Sequence, residues 1–242
     1  NVDQTANTTR GAYIANVADV VVDFISLEYH ETINGMAGDL AYQWLLDQIE
    51  NGDADNAEPY VLVVEGALQK QTNLNMYETD DGGVPWCSIG MADDAPAVPG
   101  SEHDFTEVVD ALASQAKCLA VVTIGQCASY GGYPGCVSPV LGVGQTGAVG
   151  VYEYLADVYG TGAGSPANKV ASAPGCPTNP WWFVLTVVAW LVDYAQGPAQ
   201  GTDGPLGILD STGAIVGGVD SASSRRLNAV YGFPVHGERC PR

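Results

Sequence analysis

Two cysteines, Cys127 and Cys176, each follow an apolar, strand-like run and lie in a turn rich in glycine or proline. The first turn reads Gly-Gln-Cys-Ala-Ser-Tyr-Gly-Gly, and the second reads Pro-Gly-Cys-Pro-Thr-Asn-Pro. Iron–sulfur clusters and soft metal ions take thiolates as their protein ligands. Glycine lets the backbone close around a bulky inorganic group. The two turns therefore predict a metal or iron–sulfur site.

Other residues with suitable chemistry give weaker indications. Glu65 follows the run Tyr-Val-Leu-Val-Val, and its carboxylate could tune or ligate a cluster, relay protons, or only end a strand in solvent. His236 and Cys240 are four residues apart, which alone is a weak metal signal. Cys118 opens an apolar run, so we interpret it as a core residue. No residue is predicted to be catalytic.

The elements that must position these residues alternate along the chain. Four β-rich runs are predicted at 19–27, 60–64, 118–124 and 169–173, and four helices at 35–50, 105–117, 148–158 and 180–194. The runs are nearly continuous in apolar residues, which is typical of strands buried on both faces. The alternation predicts an α/β fold, a parallel sheet with helices on both faces.

In such a sheet, ligands bind outside the carboxyl ends of the strands. Glu65, Cys127 and Cys176 each lie at or just past the end of a predicted strand, so we expect them along one edge. Residues 74–104 are predicted to form a long, partner-facing loop. After about residue 197 the periodicity is lost, which indicates a linker or an irregular C-terminal segment.

Composition limits the classes of partner. The 242 residues include 28 Asp and Glu against 8 Lys and Arg, a net charge of −20. This charge argues against nucleic acid and anionic membrane surfaces as partners. The acids are scattered, which favours a solvated acidic surface suited to high salt over a docking face for a basic partner. No apolar run reaches the ~18–20 residues of a membrane-spanning helix.

Several segments occur together in a specific order. They are Ile-Ser-Leu-Glu-Tyr-His-Glu-Thr-Ile at 25–33, Val-Glu-Gly-Ala at 64–67, the two cysteine turns, and His236 followed by Cys240-Pro-Arg. In this order, and over nearly the whole chain, they resemble the small, electron-transferring subunit of [NiFe] hydrogenases.

The resemblance implies a flavodoxin-like domain at 1–197 and, at 198–242, the start of a C-terminal cluster-binding region, truncated in this sequence. Cys127 and Cys176 would be ligands of a proximal [4Fe–4S] cluster, with the Glu65 carboxylate near it. His236 and Cys240 would be ligands of a distal cluster, and a medial cluster is expected if the chain continues.

The implied partner is the large subunit that carries the Ni–Fe site, in a heterodimer. A membrane cytochrome or a soluble acceptor would take the electrons. The resemblance implies a periplasmic or membrane-associated location and leaves a cytoplasmic one open.

The chain departs from the family pattern in several places. The usual Cys-x-x-Cys, source of the other two proximal ligands, is absent and is expected just before Asn1. The His236-to-Cys240 spacing is one residue longer than usual, and the remaining distal and medial ligands are expected after Arg242. Cys136 is an additional cysteine, for which oxygen tolerance is a hypothesis.

Two alternatives stay open at this point. One is the related cluster-bearing subunit of respiratory quinone oxidoreductases, which shares the cysteine turns but normally carries adjacent cysteines early in the chain. The other is a cluster-free flavodoxin-like scaffold.

Overall fold

The largest sheet among the described residues has three parallel strands. The computed structural model describes residues 26–50, 59–69, 87–91, 102–135, 147–219, 221 and 225–231. The described strands are β1 (Tyr60–Glu65), β2 (Leu68–Gln69), β3 (Ser88–Met91), β4 (Glu102–Asp104), β5 (Cys118–Ile124), β6 (Ala148–Val149) and β7 (Val170–Ala173). The described α-helices are α1 (Gly38–Glu50), α2 (Phe105–Ala113), α3 (Gly125–Tyr130), α4 (Val151–Tyr159), α5 (Pro180–Gln196) and α6 (Asn228–Tyr231).

The chain divides into two compact units, Asn1–Gly35 and Met36–Arg242. In the described part of the first unit, the His30 amide donates to Asn34 Oδ1 at 2.9 Å, and the Ile33 amide donates to the His30 carbonyl at 3.0 Å. These bonds close a turn. The predicted strand 19–27 lies outside the described residues except for its last two, which are not in a strand.

The main sheet, in the second unit, has the strand order β1–β5–β7 with both pairs parallel. Two short antiparallel pairs, β2 with β6 and β3 with β4, accompany it. The pair β3–β4 falls within the region 74–104 that we expected to be a loop. The other predicted strands agree with the structure to within about one residue at each end, since their continuous apolar character is a strong signal.

The sheet is buried on both faces, as predicted. On one face Val121 and Val170 pack in a cluster with Val109 of α2 and Leu155 of α4. On the other face different side chains pack with α5, namely Ala120, Val122, Ala171 and Trp190. The register between β1 and β5 shifts by one residue near Tyr60, which is a β-bulge in β5. The α/β fold with helices on both faces is therefore confirmed.

Three helix boundaries differ from the sequence prediction by three residues or more. Helix α1 begins at Gly38 instead of 35, and α2 and α4 differ for local reasons. Helix α2 ends at Ala113, before the predicted end at 117. Lys117 cannot extend the helix because it already takes part in the sheet: its carbonyl accepts a hydrogen bond of 3.0 Å from the Tyr60 amide, where β1 and β5 begin. Helix α4 begins at Val151, since Ala148 and Val149 pair with β2 instead. The long helix α5 starts at Pro180 as expected, where the missing N–H of proline costs no hydrogen bond.

The described residues after Gly197 are mostly irregular, as expected, apart from short helical turns such as α6, but they pack on the core. Ile208, Leu209 and Ile215 are buried in the same cluster as Trp190. The buried carboxylate of Asp193 accepts the amides of Ile208 at 3.0 Å and Leu209 at 2.8 Å. This carboxylate fixes the segment, so the described part after Gly197 is not a loose linker. None of the described helices has the length and apolar character needed to span a membrane.

Candidate functional site

The three parallel strands end level with one another at the predicted edge. Glu65 is in register with Ile124, and Ile124 is in register with Ala173. Cys127 and Cys176 each follow three residues after the last residue of their strand. The Gln126 amide donates to the Gly175 carbonyl at 2.8 Å, which ties the two cysteine turns together. The structure therefore brings both cysteines and Glu65 to one edge of the sheet.

Cys127 is half-buried in the first turn of α3. The helix ends one turn later, where the Gly131 amide donates to the Cys127 carbonyl at 2.8 Å. Gly132 then has a φ of +62°, and a Cβ there would overlap Cys127 Sγ and lie 3.0 Å from Cys127 Cα. Only glycine allows the backbone to pass so close to the thiol. Gly132 therefore fixes one side of the cysteine environment.

Cys176 is exposed in the turn between β7 and α5. Thr178 closes this turn, since its Oγ1 donates to the Ala173 carbonyl at 3.2 Å. Asn179 then caps α5, since its Oδ1 accepts the Trp181 amide at 3.0 Å. The peptide bond between Cys176 and Pro177 is cis. The turn thus presents the thiol outward from a closed backbone.

Glu65 is the last residue of β1, and its side chain is exposed. Its position at the strand end is the one expected from the sequence. A carboxylate there can accept hydrogen bonds or a proton at the same edge as the two thiols.

The donor set fits half of a four-thiolate site. Cys127 and Cys176 are both free thiols, not joined in a disulfide. Within the described ranges no group of three or more His, Cys, Asp or Glu side chains is arranged to hold a metal ion. A four-thiolate cluster needs two more ligands than these turns supply. Three predicted residues, His236, Cys240 and Cys136, lie outside the described residues, so their roles stay predictions.

The other two described cysteines, Cys118 and Cys87, lie outside the two cysteine turns, and the pKa of each thiol is raised. Cys118 is fully buried in the core, as predicted, and burial raises the pKa of its thiol to about 11. Cys87 is exposed and far along the chain from the cysteine turns. Partial burial, and then the nearby charge of Asp104, raise the pKa of Cys87. Cys118 is the first residue of β5 and so lies at the opposite end of that strand from Cys127.

A cleft of about 400 Å³ opens beside the two cysteine turns. Its lining comprises Gln126, Tyr130, Pro174, Gly175, Trp182, Arg226 and Tyr231. Trp182 and Tyr231 meet edge to face with ring centroids 5.2 Å apart, and the guanidinium carbon of Arg226 is 5.7 Å from the Tyr231 ring centroid. Burial raises the pKa of the Tyr231 hydroxyl, which keeps it protonated at neutral pH.

The cleft and the Gly132 contact were not predicted from the sequence. The Gly-Gly pair after Cys127 is the one signal that could have indicated the Gly132 contact. The cleft depends on how the segment 225–231 packs on α5, which has no short sequence pattern.

Comparison of the sequence with known proteins identifies the family to which the chain belongs. The sequence profile of the family described as NADH ubiquinone oxidoreductase, 20 Kd subunit, matches residues 11–190. The chain belongs to that family. The periplasmic [NiFeSe] hydrogenase small subunit of Desulfomicrobium baculatum is 30% identical over 200 residues, which are 81% of this chain and 52% of that protein. The hydrogenase-2 small chain of Escherichia coli K12 is 29% identical over 187 residues, 75% of this chain and 37% of that protein.

Solved structures of family relatives share the fold. The [NiFeSe] hydrogenase from Desulfovibrio vulgaris Hildenborough in the oxidized state matches with a TM-score of 0.60 and 26% identity, over 98% of this chain and 68% of that chain. The reduced, active Ni-Fe-Se hydrogenase from Desulfomicrobium baculatum matches with a TM-score of 0.61 and 25% identity, over 98% of this chain and 69% of that chain. The resemblance to hydrogenase small subunits is therefore confirmed. The chain spans about half, or less, of the length of these two curated relatives.

Proposed function

We propose that this family member is the electron-transfer subunit of a [NiFe] hydrogenase, relaying electrons between a Ni–Fe site on a large subunit and an external acceptor. The observation that carries the proposal is the pair of free thiols, Cys127 and Cys176, on turns joined by the Gln126–Gly175 hydrogen bond of 2.8 Å. The similarity to hydrogenase small subunits supports the same conclusion.

In this proposal Cys127 and Cys176 supply two of the four thiolates of a proximal [4Fe–4S] cluster. A bound iron–sulfur cluster supplies one-electron transfer at a potential that its surroundings tune. Gly132 keeps a side chain away from Cys127 Sγ and so leaves the thiol in place for ligation. Thr178 holds the Cys176 turn closed, and Glu65 adds a carboxylate at the same edge.

Three further residues of the proposal lie outside the described structure. His236 and Cys240 are proposed as ligands of a second, distal cluster, and Cys136 as an additional cysteine without an assigned role. The segments 1–197 and 198–242 are proposed as the domain carrying the proximal ligands and the start of a cluster-binding region.

The proposed partner is a [NiFe] hydrogenase large subunit, which would form a heterodimer with this chain and carry the catalytic centre. A membrane cytochrome or a soluble acceptor would receive the electrons. Two relatives named as periplasmic proteins support a periplasmic location for the complex.

A second candidate function is electron transfer within a quinone oxidoreductase, which the description of the matched family favours. Activity separates the two candidates. The chain is co-expressed with a [NiFe] hydrogenase large subunit, and the complex is purified anaerobically through a tag on this chain. Dye reduction is then followed with H₂ and, separately, with NADH as the reductant.

The hydrogenase proposal expects dye reduction with H₂ and none with NADH. Reduction with NADH alone would favour the quinone oxidoreductase. A complex that contains no iron or sulfide and reduces dye with neither donor would favour the cluster-free scaffold.

A further inference from the structure

Arg226 lies beside the two cysteine turns. It lines the cleft of about 400 Å³ together with Gln126 and Gly175. Gln126 directly precedes Cys127, and Gly175 directly precedes Cys176. One cationic residue therefore shares a cleft with a residue of each turn.

The backbone on both sides of Arg226 is fixed. The Arg225 carbonyl accepts the Ser172 amide at 2.9 Å, one residue before β7 ends. On the other side, Leu227 is fully buried in the core cluster that packs with α5. Arg226 is thus held at the carboxyl end of β7, the end from which the Cys176 turn departs.

Aromatic packing also holds the side chain of Arg226. Its guanidinium carbon is 5.7 Å from the centroid of the Tyr231 ring, a position in which a cation is attracted by the ring. The Tyr231 ring in turn meets Trp182 edge to face. Trp182 lies in the first turn of α5, where its amide donates to the Asn179 carbonyl at 2.9 Å. The guanidinium is therefore connected through two aromatic rings to the residues that follow Cys176.

The other described cations lie at the opposite end of the sheet. Lys117 directly precedes β5, and Lys169 directly precedes β7. The side chain of Arg225 reaches back to the beginning of β7, where it donates to the Val170 carbonyl at 3.1 Å. Among the residues that the structure describes, Arg226 is therefore the one cation at the cysteine edge.

A positive charge at this edge favours the reduced state of a cluster. Reduction adds one negative charge to the cluster, so a nearby cation stabilises the reduced state more than the oxidised state. The guanidinium of arginine stays protonated in proteins, so its charge is constant. We propose that Arg226 raises the reduction potential of the cluster held by Cys127 and Cys176. Arg226 would then have a role within the proposed electron-transfer function, on which this inference rests.

The test is a redox titration of the anaerobically purified complex, followed by EPR. The signal that is followed is the one that Cys176→Ser removes or changes. Arg226→Gln removes the charge, and Arg226→Lys keeps it. The matched control is Lys169→Gln, which removes the same charge at the opposite end of the sheet.

We expect Arg226→Gln to lower the reduction potential. The fall should correspond to at least about a threefold change in the ratio of reduced to oxidised cluster, which is about 28 mV at about 59 mV per tenfold for a one-electron couple. Arg226→Lys should keep the parent potential because it keeps the charge. Lys169→Gln should keep it because the charge that it removes is distant and screened.

Gln126→Glu gives a second measurement in case the Arg226→Gln complex does not fold or hold its cluster. The side chain of Gln126 is exposed, and the hydrogen bond to the Gly175 carbonyl comes from its backbone amide, so the substitution leaves that bond in place. The negative charge that it brings to the same cleft should also lower the potential by at least about the equivalent of a threefold change.

Three results would overturn the inference alone. The first is a parent potential in the loaded Arg226→Gln complex or, where that complex holds no cluster, in Gln126→Glu. The second is an equal fall in Arg226→Gln and Arg226→Lys, which would make packing, not charge, the cause. The third is an equal fall in Lys169→Gln, which would make the effect one of net charge. A parent complex without iron would instead contradict the proposed function itself, so the two failures are distinguishable.

Discussion

The two cysteine turns are related in position but hold their thiols differently. Cys127 is half-buried in a short helix and lies against the backbone of Gly132. Cys176 is exposed in a turn that a single side-chain hydrogen bond, from Thr178 to Ala173, helps to close. The geometry of the first thiol is therefore set by close packing, and that of the second by the conformation of its turn. The edge of the sheet therefore combines one closely packed thiol with one accessible thiol.

The largest expected difference between the turns is in thiol accessibility. In the chain freed of any metal and kept reduced, iodoacetamide should alkylate Cys176 first and Cys127 more slowly. Cys118 should react at least about a hundredfold more slowly than Cys176, because a pKa raised to about 11 lowers its thiolate fraction. Peptide mass spectrometry over time gives the three rates. If Cys127 reacted as fast as Cys176, the packing described around Cys127 would be wrong.

The next effect concerns the close contact on the Cys127 side. Gly132→Ala should lower the free energy of unfolding by about 2 kcal/mol, because the new methyl group meets Cys127 and the backbone has a positive φ. Urea unfolding of the full chain measures the change.

Gly164→Ala is the matched control for this substitution. Gly164 has a φ of +81°, and apart from its chain neighbours no described residue has an atom within 4 Å of the place that an added methyl group would take. It therefore reports the cost of the backbone conformation alone. We expect this variant to lose only about 1 kcal/mol. Equal losses in the two variants would show that the contact with Cys127 contributes nothing.

The smallest effect concerns the Cys176 turn. Thr178→Val removes the hydrogen bond to the Ala173 carbonyl and should lower the free energy of unfolding by about 1 kcal/mol. It should also change the alkylation rate of Cys176 and leave that of Cys127 unchanged. Thr202→Val, which removes a hydroxyl that donates to the Gly197 carbonyl, is the control. A change in the alkylation rate of Cys127 would instead show that Thr178 affects the conformation of both turns.

Much of the sheet could be predicted from sequence, because its strands are short apolar runs followed by glycine or proline turns. The run 118–124 is a strand with the same bounds in the structure. Since parallel strands end at one edge, the shared location of Glu65, Cys127 and Cys176 also followed from the sequence, and the register confirms it. These features depend on local pattern and on a general rule of topology.

The features that were missed depend on contacts between distant residues. The carboxylate of Asp193 reaches amides fifteen and sixteen residues further along, and so converts a glycine-rich stretch into part of the core. The guanidinium of Arg225 donates to the Val170 carbonyl at 3.1 Å and to the Asn168 carbonyl at 3.0 Å. A buried Asp or Arg within an irregular segment gives no periodic signal, so its role appears only with the tertiary structure.

The most direct test of the central claim, that Cys127 and Cys176 ligate one cluster, is the iron content and EPR spectrum of the anaerobically purified complex. Cys127→Ser and Cys176→Ser are compared with Cys87→Ser, which changes an exposed thiol outside the two cysteine turns. We expect each of the first two variants to lose iron or to shift the signal of one and the same reduced cluster, while Cys87→Ser keeps the spectrum of the parent complex. Unchanged iron content and spectra in both the Cys127 and the Cys176 variant would contradict the account.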